Sequence, residues 1–282
     1  MPLPRSGPDA NPRWPVCHHV GVNVTAHIAA LDREGRLMAE SAAANGLDAV
    51  VAACPGWRVR DLLAHTGQVH RWAAAHVASG NGGPPVRGQA AKAVFPHPGD
   101  DTLLDWFRDG HAHLVRTLSD AAPDTECLTF LPAPSPLAFW ARRQAHETAV
   151  HRVDAQSAHP EHAPAPEEGA ADPGDPALAA DGVEELLLGF FARPGGPLVA
   201  DPPLVLALET TDTGQGWTMS LTPTGRTSTR GTGPDADTTV TGPAHELYLL
   251  LWNRSGGGRC TVTGDRGALD LWRERARVQW RR

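Results

Sequence analysis

The chain has 282 residues, long for one ordinary domain of roughly 100 to 200 residues and right for two. Its 29 Gly and 26 Pro are set against 41% hydrophobic residues and nine Trp, which excludes wholesale disorder. A net charge of −7 offers no basic face to displace counterions from phosphates, so nucleic acid is not an expected partner. Four widely spaced cysteines without a C-x-x-C motif indicate neither a zinc ribbon nor a disulfide framework. With no apolar run of membrane-spanning length and no signal-like start, a cytoplasmic protein without a membrane partner is expected. Fourteen histidines stand out.

Residues 1–24 are rich in Pro, Gly and Asn and predict a flexible extension. From Thr25, Ile28, Leu31, Leu37 and Met38 recur at helical spacing up to Asn45-Gly46, a C-cap pair. After Cys54-Pro55-Gly56 a second helix carries Val59, Leu62, Leu63, Val69, Trp72 and Val77 and breaks at NGGPP. A third starts at Asp100-Asp101, acids suited to a helix N-terminus, and runs to about Ala121. A fourth follows LPAPSP, from about Pro136 to Ala158. Four such helices predict an antiparallel bundle over 25–158, although the long loops permit other connections. Residues 159–177, almost devoid of apolar side chains, read as a linker. Beyond it, residues 178–282 predict a small α+β domain: a helix at DGVEELLLGFFAR, then short runs such as PLVLALETT, GWTMSLTP, TSTRGT and DTTVTG that read as an antiparallel sheet. PAHELYLLLWNR returns to helix, RCTVTGD adds a strand, and GALDLWRERARVQW closes as a helix.

The fourth helix contains HETAVH, which differs by one residue from the zinc motif H-E-x-x-H. His146 and His151 are five apart, about 140° around a helix, and do not converge on one ion. Glu147 and His151 are four apart and share a face, a spacing suited to one carboxylate oxygen and one imidazole nitrogen on a metal. That face, extended, reads Trp140, Gln144, Glu147, His151, Asp154, a polar stripe where a bundle helix would show Leu and Val. Pointing inward it requires a metal or a compensating network; pointing outward it is a solvated Glu–His pair. The second helix supplies His65, beside Leu62, Val69 and Trp72, while His70 lies five positions on and points elsewhere. Alone, a histidine at this place is more often a hydrogen-bonded core residue, so the metal reading needs all three ligands. Together His65, Glu147 and His151 would make a two-His, one-carboxylate site with an open position. Asp61, one turn before His65, is either its second partner or a solvated helix acid. His18, His19, His111, His113, His159 and His162 read as surface side chains, and the Gly-rich GTGPDADT and RSGGGRC lack the strand-to-helix context of a phosphate loop.

The segments CPGWRVRDLLAHTGQVHRW and WARRQAHETAVHRVDA, with ADTTVTGPAHELYLLLWNR and VTGDRGALDLW further on, resemble the mycothiol-dependent maleylpyruvate isomerase family. That family is a metal-binding branch of the DinB-like four-helix bundles, followed by a small sterol-carrier-like α+β domain. The resemblance implies a divalent metal, with zinc expected, held by His65, Glu147 and His151, and mycothiol as thiol cosubstrate. It implies a metal-activated thiolate that adds to a cis double bond of a small electrophile and leaves after rotation, or an S-transferase that leaves the thiol attached. A metal-dependent hydrolase and a non-catalytic metal-binding or stress-response protein are the competing readings. Arg142, Arg143 and Arg152 are candidates for acidic groups or solvated helix residues, and the resemblance implies an arginine from the second domain, with Arg226, Arg230 and Arg254 as candidates.

Overall fold

The computed structural model describes residues 22–80, 95–158 and 174–276. The expected extension up to residue 21, with Cys17, His18 and His19, the NGGPP break, most of the expected linker, with His159 and His162, and residues 277–282 lie outside these.

Four helices form the first part: α1 (Val24–Asn45), α2 (Val59–Ser79), α3 (Asp100–Asp120) and α4 (Pro136–Gln156). Their ends follow local chemistry. Asn23 caps α1 by accepting from the Ala26 N–H at 2.9 Å, and Gly46, at φ 83°, ends it with its N–H on the Ala42 carbonyl at 3.0 Å. Ser135 caps α4 through Oγ, with Pro136 at the first helical position. Asp61 accepts from the Arg58 backbone N–H at 2.9 Å, so it serves the start of α2.

The helices run two and two. His27, Glu34 and Asn45 of α1 meet His146, Arg152 and Ala155 of α4 in the same order, so these helices are parallel. Arg60 and Arg71 of α2 meet Asp100 and Trp106 of α3, again in parallel. The pair α2–α4 is antiparallel, since His65 meets Glu147 and Trp72 meets Trp140. The long connections between helices are what allow this arrangement.

The second part begins with α5 (Pro176–Glu184), which passes directly into a π-helical turn (Glu185–Phe190). Five strands follow, β1 (Leu204–Thr210), β2 (Gly216–Thr222), β3 (Gly225–Arg230), β4 (Thr238–Gly242) and β5 (Thr261–Gly264), with α6 (Ala244–Leu251) before β5 and α7 (Gly267–Arg275) after it. The sheet order is β3-β2-β1-β4-β5. It is mixed, which corrects the antiparallel expectation: β4 lies parallel to β1, with Val240 opposite Leu208. Period-two alternation fixes which face a residue occupies but carries no information on strand direction. Trp217, Met219 and Leu221 of β2 turn inward against Val183, Leu187 and Leu247.

Helix α4 joins the two parts. Every residue from Arg143 to Ala155 is buried. Val150 and Val153 belong to the same apolar cluster as the sheet, while Phe139, Trp140 and Ala145 pack with α1–α3. The polar stripe of α4 therefore points inward.

Candidate metal centre

The structure brings His65, Glu147 and His151 together. One ligand atom from each lies within 4.8 Å of the others. Glu147 Oε1 is 3.4 Å from His65 Nε2 and 3.5 Å from His151 Nε2. Both are long for hydrogen bonds to a carboxylate, which cluster at about 2.7–2.9 Å. They match the separation of about 3.3–3.4 Å between ligand atoms on a tetrahedral ion with bonds of about 2.0–2.1 Å. Two imidazoles and one carboxylate suit zinc and its neighbours in the first transition row. The donor set therefore fits a divalent ion with one position left to another ligand.

The surroundings fix each donor. The Nδ1 of His151 bonds to Asp154 Oδ2 at 2.9 Å, directing Nε2 toward Glu147. Asp154 is gripped by Arg254, whose Nε and Nη2 donate to its two oxygens, each at 2.9 Å. Glu147 Oε2 accepts from Arg143 at 3.2 Å, and Arg143 also pairs with Glu185 in the π-helical turn. Trp57, in the turn before α2, lies over both imidazoles, with ring centroids 5.1 Å from His65 and 6.4 Å from His151. Gly56 at φ 78° allows the turn that sets this indole in place.

The protonation states follow from these contacts. Burial alone would favour a neutral Glu147, but hydrogen bonds from His151 and His65 and the charge of Arg143 hold it well below the usual carboxylate range. Burial likewise opposes ionisation of Asp154, and Arg254 and His151 reverse that. For His151, burial disfavours the charged ring, yet the bonds to Asp154 and Glu147 raise its pKa to about 9 when only protons compete for it. Cys54 sits beside this network, its Sγ 3.7 Å from Asp154 and from Arg254. Burial and the Asp154 charge push its thiol up to about 12, so it remains a neutral S–H.

The other histidines separate as helix geometry requires, with one departure. His146 joins His27 on a single oxygen of Asp181, at 2.8 and 2.9 Å, where Arg142 Nε also donates at 2.8 Å. These are ordinary hydrogen-bond lengths, and a guanidinium on the shared oxygen opposes a cation there, so this cluster is a polar junction between α1, α4 and α5. His70 donates to or accepts from Thr148 Oγ1 at 2.9 Å. The departure is His111, expected at the surface: it is buried and bonds to the Leu31 carbonyl at 3.0 Å, in space that Gly35 leaves open. The helix arginines are committed internally too, Arg142 to Asp181, Arg143 to Glu147 and Glu185, and Arg152 to Glu34.

Of the three arginines considered from the second part, Arg226 holds the carbonyls of Phe191, Arg193 and Gly195, and Arg230 pairs with Glu184. Only Arg254 reaches the cluster. Sequence reading did not assign roles to Trp57, Cys54 or Asp181. The segment Cys54-Pro55-Gly56 was visible as a turn, but the placing of Trp57 against α2 depends on tertiary contacts.

Two family models match the chain: the mycothiol maleylpyruvate isomerase N-terminal domain over residues 24–156 and the MDMPI C-terminal domain over residues 177–271. No curated protein sequence matches it. Among solved structures, the mycothiol-dependent maleylpyruvate isomerase superposes with a TM-score of 0.60 at 14% identity, over 86% of this chain and 93% of that one. A histidine-to-alanine mutant of the same enzyme gives a TM-score of 0.61 with the same identity and coverage. Fold and family models together define a two-part, thiol-dependent class of enzyme, a helical bundle joined to a small α+β unit. The chain belongs to the mycothiol-dependent maleylpyruvate isomerase family.

Proposed function

We propose that the protein is a cytoplasmic, zinc-dependent enzyme that uses mycothiol to isomerise a small electrophile of the maleylpyruvate type, or joins mycothiol to it through a thioether. The observation that carries this reading is the spacing of Glu147 Oε1 from the two Nε2 atoms, 3.4 and 3.5 Å, with each donor oriented by a second residue. His65, Glu147 and His151 would hold the ion. Bound there, a divalent ion supplies the positive charge that makes a thiol a thiolate near neutral pH.

The chain's own residues prepare for that chemistry. Asp154 keeps the proton of His151 on Nδ1, so Nε2 presents its lone pair. Arg254 keeps Asp154 ionised, and Arg143 occupies the second oxygen of Glu147, so that only Oε1 faces the histidines. Trp57 shields the imidazoles from bulk water. Among the described residues the cysteine beside the cluster is Cys54, held as a thiol with a pKa of about 12, which favours a nucleophile brought in by a cosubstrate.

Metal analysis and a thiol-dependence assay test the proposal. About one zinc per chain is expected, lost in His151→Ala while helix content is retained. Turnover of maleylpyruvate or conversion of generic electrophiles should require mycothiol. Turnover independent of thiol would favour hydrolysis by a metal-bound water instead, and metal content untouched by His151→Ala would remove the proposed centre.

A further inference from the structure

Gln144 occupies a defined place in the seam between α2 and α4. It lies one turn before Glu147 and two turns before His151, on the same face of α4. Across the seam, His65 meets Glu147 at 3.4 Å, and farther along Trp72 meets Trp140 with ring centroids 5.0 Å apart. Because the helices are antiparallel, these two contacts bracket Gln144 and set it opposite Gln68 and Val69. Gln68 gives its amide N–H to the Phe95 carbonyl at 3.1 Å, and Val69 has no polar atom. Gln144 is 1% exposed, and its Oε1 has no hydrogen-bond partner among the described residues.

A buried carbonyl oxygen left unsatisfied is costly, and folded proteins keep few of them. Burial differs across the α2 side of the seam. On α2 the residues along it, His65, Val69 and Trp72, are half-buried, whereas Thr66, His70 and Ala73 on the inner side are buried. One unsatisfied acceptor on α4 thus lies in the seam between the half-buried side of α2 and the candidate metal centre.

We propose that Gln144 Oε1 receives a hydrogen bond from an N–H or O–H donor of the thiol cosubstrate when the sulfur is at the metal centre, making Gln144 a residue that selects the thiol. The assignment rests on the thiol reading given above. Ligand chemistry separates the two molecules that enter the site. Mycothiol, an acetylated cysteinyl sugar, carries amide N–H and hydroxyl donors. The carboxylates of a small acidic electrophile are ionised at neutral pH and can only accept, so a carbonyl oxygen repels them. The acceptor therefore serves the thiol.

The test compares zinc-loaded wild type with Gln144→Met, which removes the oxygen at nearly equal volume, and with Gln144→Leu as a second apolar replacement. Both variants should keep their zinc and melt at or above the wild-type temperature, because an unsatisfied acceptor has gone. Mycothiol should bind about tenfold more weakly by calorimetry and show a matching rise in KM, the loss expected for one hydrogen bond to a buried partner, while KM for the electrophile stays the same. Mycothiol affinity within twofold of wild type in a folded, zinc-loaded variant would overturn the assignment, as would a lowered melting temperature with unchanged affinity, the mark of a packing role. A wild-type protein that does not bind mycothiol at all would remove the thiol reading itself, and the assignment with it.

Discussion

At the scale of single residues, Asp154 supports the candidate centre without being one of its three donors. It touches no proposed ligand position, yet it fixes which nitrogen of His151 faces Glu147. Asp154→Asn is expected to weaken zinc binding about 10- to 100-fold, the usual effect of removing a residue that orients a metal-bound histidine, measured by competition with a chromophoric chelator. Glu147 and His151 stood out by their spacing of four, whereas the apolar neighbours of His65 on α2 suit a core histidine as well, and its candidacy came from the pair on α4 and the family resemblance. Arg254 did not stand out, because it lies 100 positions from Asp154 and no local pattern distinguishes it from Arg226 or Arg230. The count of histidines was also uninformative, since His27, His70, His76, His111, His146 and His151 are all buried yet do different things.

Among the elements, α4 shows why periodicity left the stripe unresolved. A surface helix has an apolar stripe and a polar remainder, but α4 is enclosed on every side from Arg143 to Ala155. Its charged groups are each met by a partner from a different element: Glu34 on α1, Arg254 after α6, Glu185 in the π-helical turn. No window of one sequence displays such partners. The π-helical turn was read simply as helix, because a wider turn leaves the same apolar residues in nearly the same order. Glycine marks where the elements approach closely. A Cβ at Gly182 of α5 would lie 2.4 Å from the Tyr248 ring and 2.9 Å from His146. Gly182→Ala is expected to destabilise the protein by about 1–3 kcal/mol through overpacking, read from the denaturation midpoint.

For the whole molecule, the two parts share a core and several buried ion pairs, so a single cooperative unfolding transition is expected. Scanning calorimetry should show one peak whose calorimetric and van't Hoff enthalpies agree. Two resolved peaks would contradict it.

The pH dependence of stability is set by buried imidazoles before it is set by carboxylates. Burial lowers the pKa of His70, His111 and His146 below the usual 6.5; the Leu31 carbonyl offsets part of this for His111 and Asp181 part of it for His146. A folded pKa below the unfolded one means that the unfolded chain binds more protons, so stability is complete above about 6.5 and falls as pH drops below it. His151 acts in the opposite sense in metal-free protein: its pKa of about 9 adds stability below about 6.5 that is lost as pH rises to about 9. Metal-free protein should therefore be most stable near pH 6.5, with denaturant midpoints falling on both sides. His111→Gln should flatten the acid side by about a third, one group of three.

Arg254 crosses from the α+β part to the proposed metal centre through Asp154, and that contact has a thermodynamic corollary. Whatever free energy the docked second part lends to metal affinity, the bound metal must return to docking, because coupling between two equilibria is reciprocal. Chelation should raise amide hydrogen exchange around Trp252 and Arg254, far along the chain from any proposed ligand, and Arg254→Ala should weaken metal affinity by a corresponding factor. The centre would then report on whether the two parts are seated together.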